Sequence, residues 1–404
     1  MNPPDDILDP SLLRFEGDFN SQVENILYHV RLTAREVQDL ECLFSDLENA
    51  LKALDPNIKV LPFGSIVTGL GIKTSDVDCY IALPDKLRQV PNIVIHARNI
   101  LRRHYKIFTK LFAITGANVP IVKFLHIPTN CNCDINFKSE AGVHNSKLIG
   151  HMLKLNNSNR VLHLAILIKY WSKVHKITGT NLLASYALTL MVIFYLQLMN
   201  MLPSIDRMQK NVPPYFADIW NTAIDYNMNF RLDCAESLYD LMGGFFKCYS
   251  NLNFEDNILS PYMGRLLQKN TFKNLNDIPR EYQLYVENLA ADSCKPLQID
   301  KPMCVQDPFE HSRNTTASVQ PKLAERLKAH FQFAARMFDE LPPNQFLEAI
   351  LTKDPNARTA LNVKKKPKRV FHNRVTKNKP PQNRFKNLNR CEGIRGKVNI
   401  ARKK

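Results

Sequence analysis

The chain has 404 residues, 45% of them hydrophobic, which is enough for two or three domains with sizeable cores and ordinary for a soluble globular protein. Its net charge of +16 is uneven, because residues 363–404 hold 16 Lys and Arg against one acid, Glu392, and leave residues 1–362 close to neutral. The nine cysteines are scattered, and Cys131 and Cys133 sit too close together for a CxxC zinc half-site, so a disulfide framework and a zinc ribbon are excluded and reduced thiols expected.

In chain order, "MNPPDDILDPSLLRFEGD" is acidic and has no apolar run, so it does not read as a secretory leader and the chain is expected in the nucleus or cytoplasm. Apolar residues at helical spacing (Val23, Ile26, Leu27, Val30, then Leu40, Leu43, Leu47, Leu51) predict a helix over 20–54. "IKVLPFGS" reads as a strand running into a turn, residues 76–83 as a second strand, 92–103 as a helix, and "VPIVKFLHI" and "NCDINF" as two further strands. From about residue 154 to 341 the pattern becomes mainly helical, with helices predicted in "NRVLHLAILIKYWSKVHKI", "CAESLYDLMGGFFKCYSNL" and 320–341. The run over 182–202 is as long as a bilayer span, but Ser185, Thr189, Gln197 and Asn200 interrupt it and no charges flank it, so it reads as a buried central helix and no membrane partner is expected. The tail after Asn362 has too few apolar residues to offset its ordering entropy and is expected to be disordered.

Chemistry concentrates in "FGSIVTGLGIKTSDVD", residues 63–78. Residues i and i+2 of a strand share a face, so Asp76 and Asp78 point together and Val77 faces the core. Two carboxylates side by side repel unless a proton or a cation lies between them. Hard oxygen ligands of this kind suit Mg²⁺, and a third from a neighbouring strand, Asp134 in "CDINF", would complete a two-metal site. Eleven residues before Asp76, Gly64 and Ser65 offer close backbone approach and a hydroxyl to a phosphate. Lys169, Lys173 and Lys176 fall at i, i+4 and i+7, a basic helix face that an anion would relieve of like-charge repulsion. Trp171 points elsewhere and reads as core.

These motifs resemble those of the nucleotidyltransferase superfamily related to DNA polymerase β. More narrowly, residues 20–345 resemble the terminal uridylyltransferases and template-independent poly(A) polymerases. "CDINFKSEAGVHNSKLI", "YWSK", "SYALTLMVIFYLQ" and "DPFE" support the likeness. The resemblance implies an α+β fold, with a mixed-sheet palm flanked by helices, a mostly helical central domain and the disordered basic tail. It divides the chain into an N-terminal helical segment on the central domain (1–45), a catalytic domain (46–150), a poly(A) polymerase-associated helical domain (151–345) and the tail (363–404). It implies two Mg²⁺ or Mn²⁺ ions on Asp76, Asp78 and Asp134, with Asp134 also the base for an RNA 3′-hydroxyl. The nucleoside triphosphate, UTP or ATP, would lie among Phe63, Gly64, Ser65, Lys169, Lys173 and Ser185. Asn145 would hold its ribose and base, with Ser146 beside it, and Tyr186 would stack on the base. Gly142, Asp307, Glu310 and Arg313 would belong to the same nucleotide site, Arg313 at the position that reads the base edge in uridine-selective relatives.

One position departs from the pattern. Uridine-selective relatives carry a histidine three residues after the "DPFE" glutamate, where this chain has Arg313, with His311 two residues earlier. Arginine offers only donors, which favours the O4 and O2 acceptors of uracil over the amino group of adenine. UTP is therefore the expected donor and ATP the alternative. Two further readings stay open, an inactive relative acting as an RNA-binding adaptor and an enzyme that modifies small molecules. The tail cluster "KKKPKR" fits RNA phosphates or a nuclear import factor.

Overall fold

The computed structural model describes residues 5–353 and 355, apart from residues 89, 156–158, 229 and 231–234. The tail reading for 363–404 lies outside the described residues. The helix expected over 20–54 is two helices, α1 (Phe19–Val30) and α2 (Ala34–Leu51). Arg31 is extended, and Thr33 closes a capping box with Glu36: its hydroxyl accepts from the Glu36 N–H, and the Glu36 carboxylate accepts from the Thr33 N–H. This local exchange satisfies the new helix start and outweighs continued helical spacing. The two helices then serve different cores. Val23, Ile26, Leu27 and Val30 pack into the helical half, while Leu40, Leu43, Leu47 and Leu51 pack on the sheet.

The sheet half contains β1 (Lys59–Phe63), the single turn α3 (Ser65–Thr68), β2 (Val77–Ala82), α4 (Asp85–Arg88), α5 (Ile93–Arg103), β3 (Phe108–Ile114), β4 (Ile121–His126) and β5 (Cys131–Asn136). Its order is β1-β2-β5-β4-β3, with β2 and β5 parallel and the other pairs antiparallel. The sequence pattern missed β3. Its register with β4 shifts between Thr109 and Phe112, and Lys110 has φ 52°, so a bulge breaks the two-residue alternation that marks a strand.

The helical half follows with α6 (Ala141–Met152), α7 (Arg160–Val174), α8 (Ser185–Leu198), α9 (Ile205–Gln209), β6 (Phe216–Ala217), β7 (Trp220–Asn221), α10 (Leu238–Asn251), β8 (Asn257–Ser260), β9 (Arg265–Gln268), α11 (Gln283–Ala290), α12 (Pro321–Glu340) and α13 (Pro343–Thr352). The apolar run is α8, buried on nearly every side, and the Tyr249 hydroxyl donates to its Met191 carbonyl at 2.6 Å. Among the described residues no helix is long and apolar enough to cross a membrane. Trp171 on α7 stacks on Phe331 at 5.8 Å in the same core. The core is closed by α13 against α1, where Gln22 donates through Nε2 to the carbonyl of Asn344 at 2.7 Å.

Candidate active site

Strand register aligns the acidic residues. Phe63 on β1 pairs with Asp78 on β2, Asp78 with Asp134 on β5, and Asp134 with Lys123 on β4, one row across four strands. Asp76 stands just ahead of β2, and Val77 between the two aspartates is 1% exposed. The three carboxylates feel one another. Asp78 has its pKa pushed up to about 7, first by burial and then by Asp134 and Asp76, with Lys123 and Lys169 opposing. Burial also raises Asp134, against the pull of Lys123. Lys123 pairs closely with the Asp134 carboxylate, whereas among the described residues Asp76 and Asp78 have no ion-pair partner. The three carboxylates, of which only Asp134 is paired with an amine, form a hard-oxygen set short of positive charge whose chemistry suits a divalent cation, although the three do not all come within 4.8 Å of one another.

The Gly64–Ser65 turn packs directly against Asp78. Gly64 has φ 78° and ψ −152°, a region essentially closed to side chains, and a Cβ there would lie 2.6 Å from Asp78 Oδ2. Its N–H donates to Ser146 Oγ at 2.7 Å, and that hydroxyl donates to the Gly142 carbonyl, so α6 and the turn are fixed together. A Cβ on Gly142 would meet the Phe63 ring at 2.6 Å.

A cavity of about 440 Å³ opens beside this turn. Of the residues picked from sequence, its wall contains Phe63, Gly64, Ser65, Asp76, Asp78, Gly142, Asn145, Ser146, Lys169, Lys173, Ser185, Tyr186 and Arg313. Asp134, Asp307 and Glu310 are not among its lining residues. Lys169 is 8% exposed and donates to the Leu70 carbonyl at 2.8 Å and to Ser75 Oγ at 3.1 Å. Burial and Lys173 lower its pKa to about 7, against Asp78 and Asp76. An anion in the cavity would favour its charged form. Lys176 leaves the expected basic face, because α7 ends at Val174 and Lys176 takes φ 51°. Ser185 is the first residue of α8, where free backbone N–H groups and the helix dipole favour negative charge. Asn145 Oδ1 and Thr74 Oγ1, both buried in the wall, have no hydrogen-bond partner.

At the other end Asp307 is fully buried. Its Oδ1 accepts from the N–H groups of Phe309 and Glu310 at 3.0 and 3.1 Å, and its Oδ2 accepts from the Tyr186 hydroxyl at 3.0 Å and from Asn145 Nδ2 at 3.5 Å. Arg313 lies 3.7 Å from Asp307 and 3.8 Å from Glu310, and its guanidinium stands 5.9 Å from the centre of the Tyr186 ring. Arg313 thus lines the cavity while Asp307 holds Arg313, Tyr186 and Asn145 in place. His311 faces away, packed 4.1 Å from the Tyr262 ring, with its pKa pushed down to about 3 by burial. Sequence reading passed over Lys123 and the wall residues Thr74, Ser75, Asn136 and Thr189. Lys123 left one trace, a charge between Val122 and Phe124 in an otherwise apolar strand.

Two family models match the chain: "Poly(A) RNA polymerase, mitochondrial-like, central palm domain" over residues 19–154 and "Cid1 family poly A polymerase" over residues 237–313. Human Terminal uridylyltransferase 7 is 27% identical over 325 residues, which are 76% of this chain and 20% of that protein. Poly(A) RNA polymerase GLD2 of Danio rerio is 25% identical over 77% of this chain and 60% of its own length. The chain therefore spans about a fifth to three fifths of these curated relatives. Among solved structures, mtPAP in complex with UTP matches with a TM-score of 0.72 at 21% identity, over 86% of this chain and 75% of that one. The Cid1 poly(U) polymerase matches with a TM-score of 0.66 at 20% identity, over 82% and 97%. At such identities the structural likeness speaks for the fold. By its two matched domains the chain belongs to the family of terminal uridylyltransferases and template-independent poly(A) polymerases.

Proposed function

We propose that the protein adds nucleotides to RNA 3′ ends without a template, with UTP as the favoured donor. One observation carries the reading: a single cavity joins a cluster of under-compensated carboxylates to two lysines, a helix N-terminus and unpartnered buried polar atoms. In this scheme Ser65, Ser185, Lys169 and Lys173 hold the triphosphate, Asn145 and Ser146 the ribose, and Tyr186 the base. Asp76, Asp78 and Asp134 would hold two Mg²⁺ or Mn²⁺ ions, which when bound stabilise charge on the attacking and leaving oxygens. Asp134 accepts the proton of the RNA 3′-hydroxyl, so its pairing with Lys123 must loosen when RNA arrives. The 3′-oxygen bonds to the α-phosphorus, the bond to the bridging oxygen breaks, and pyrophosphate leaves.

Arg313 presents donors to the cavity and so favours the oxygens of uracil. One observation supports ATP as a second reading. Glu310 lies outside the cavity wall but 3.8 Å from Arg313, so an adenine amino group reaching past Arg313 would find an acceptor there. Extension of a short oligoribonucleotide with each of the four triphosphates tests both readings. A UTP rate well above the others supports the first, an ATP rate the second, and no extension with any triphosphate overturns the assignment. The 363–404 tail is proposed to capture RNA phosphates. Its deletion should make binding less steeply dependent on salt, measured by fluorescence anisotropy across an ionic-strength series.

A further inference from the structure

Away from the cavity, α2 and the end of β4 bring a thiol, a carboxylate and an imidazole together. Cys42 and Asp46 stand one helical turn apart on α2, beside the Leu40, Leu43 and Leu47 stripe that packs on the sheet. His126, the last residue of β4, is 0% exposed. Its Nε2 lies 3.2 Å from Asp46 Oδ2, and Cys42 Sγ lies 3.6 Å from the same oxygen. All three atoms fall within 4.8 Å of one another, and among the described residues no other trio of His, Cys, Asp or Glu does so.

These spacings are those of a coordination sphere. A tetrahedral zinc ion with nitrogen and oxygen at about 2.0 Å and sulfur at about 2.3 Å has N–O edges of about 3.3 Å and S–O edges of about 3.5 Å. The remaining ring nitrogen of His126 is already engaged, 2.8 Å from Thr129 Oγ1. When Nδ1–H donates to Thr129, Nε2 is left bare for a metal, the arrangement by which outer partners orient ligating histidines. Thiolate and imidazole select zinc over Mg²⁺, the ion that suits the all-carboxylate set in the cavity. Cys42 is exposed and Asp46 part-exposed, which leaves an entry path from solvent and room for a water as fourth ligand.

We propose that Cys42, Asp46 and His126 bind one zinc ion that staples α2 to β4, at a second cation site of different chemistry from the carboxylate cluster. On binding, the Cys42 thiol gives its proton to solvent and the thiolate takes the metal. The test uses the full chain stripped with a chelator, with Co²⁺ alone as the probe. The expected result is one equivalent of Co²⁺ showing thiolate-to-cobalt charge transfer and tetrahedral visible absorption, both displaced by Zn²⁺. Cys42→Ser should abolish the charge-transfer band, whereas Cys131→Ser and Asp78→Asn should keep it. Thr129→Val should weaken Zn²⁺ binding about 10- to 100-fold in competition with a chromophoric chelator. Zn²⁺ should raise the Tm of the parent chain by more than that of Cys42→Ser, which keeps only the carboxylate cluster. Absence of the band in the parent chain, or its persistence in Cys42→Ser, overturns the proposal. Cys42→Ala gives the same reading if Cys42→Ser fails to fold.

Discussion

The cavity has an aspartate of a different kind at each end. Asp307 is fully buried, yet backbone N–H groups, a phenol, an amide and a guanidinium surround both of its oxygens. Asp78 is less enclosed, but its strongest electrostatic neighbours are two more carboxylates, and it holds its proton up to about pH 7. Depth of burial therefore does not separate scaffold from chemistry. A carboxylate whose partners come from the chain is part of the frame, whereas one facing like charges is built for something that arrives later.

The sharpest way to break this contrast is Asp78→Ala. Transfer should fall by about 10³-fold or more in a primer-extension assay. The fold should survive and even gain stability in chelator. Asp78 keeps its proton to about pH 7 in the fold, well above the ordinary aspartate value of 3.8, so the folded state carries the extra proton between those values and stability falls as pH rises through them. Asp78→Ala should flatten that part of the curve, read as Tm at about pH 5 and about pH 7.5 without divalent ions. Asp307→Ala should do the opposite, costing about 3–5 kcal/mol of stability in denaturant unfolding because it strands a buried network. A milder probe is Tyr186→Ala: on the proposed role it removes a base platform worth about 1–3 kcal/mol and so should raise the KM for nucleotide about 5- to 150-fold. RNA affinity should change much less, and an equal loss would place the ring on RNA. The smallest effect is expected for Arg313→His, a shift of about tenfold in the ratio of UTP to ATP use towards UTP. An unchanged ratio would show that position 313 does not read the base.

What could be read without coordinates was short in range. Gly64–Ser65 and Asp76-x-Asp78 lie within 15 residues of each other, and the alternation of "CDINF" reveals which way Asp134 points. Lys123 was invisible as the partner of Asp134, because their pairing depends on the register of a hairpin. The helix break at Thr33 was written in the capping box, but the hydrophobic spacing on either side masked it. The placing of Lys176 on one face with Lys169 and Lys173 failed for a related reason, since spacing assumes that the helix continues and α7 stops two residues earlier. The role of Asp307 needed contacts across 121 and 162 positions, to Tyr186 and Asn145, which no local pattern encodes.

The break at Thr33 has a consequence for how the chain is made. The sheet core draws on residues 40–137 and can assemble as soon as they leave the ribosome, whereas the helical core needs α1 at one extreme and α13 at the other. At roughly 5–20 residues per second, the apolar side of α1 meets α7 first and lacks α13 for many seconds while the rest is translated. Helix α1 is thus made well before α13 and completes its packing only when α13 has followed.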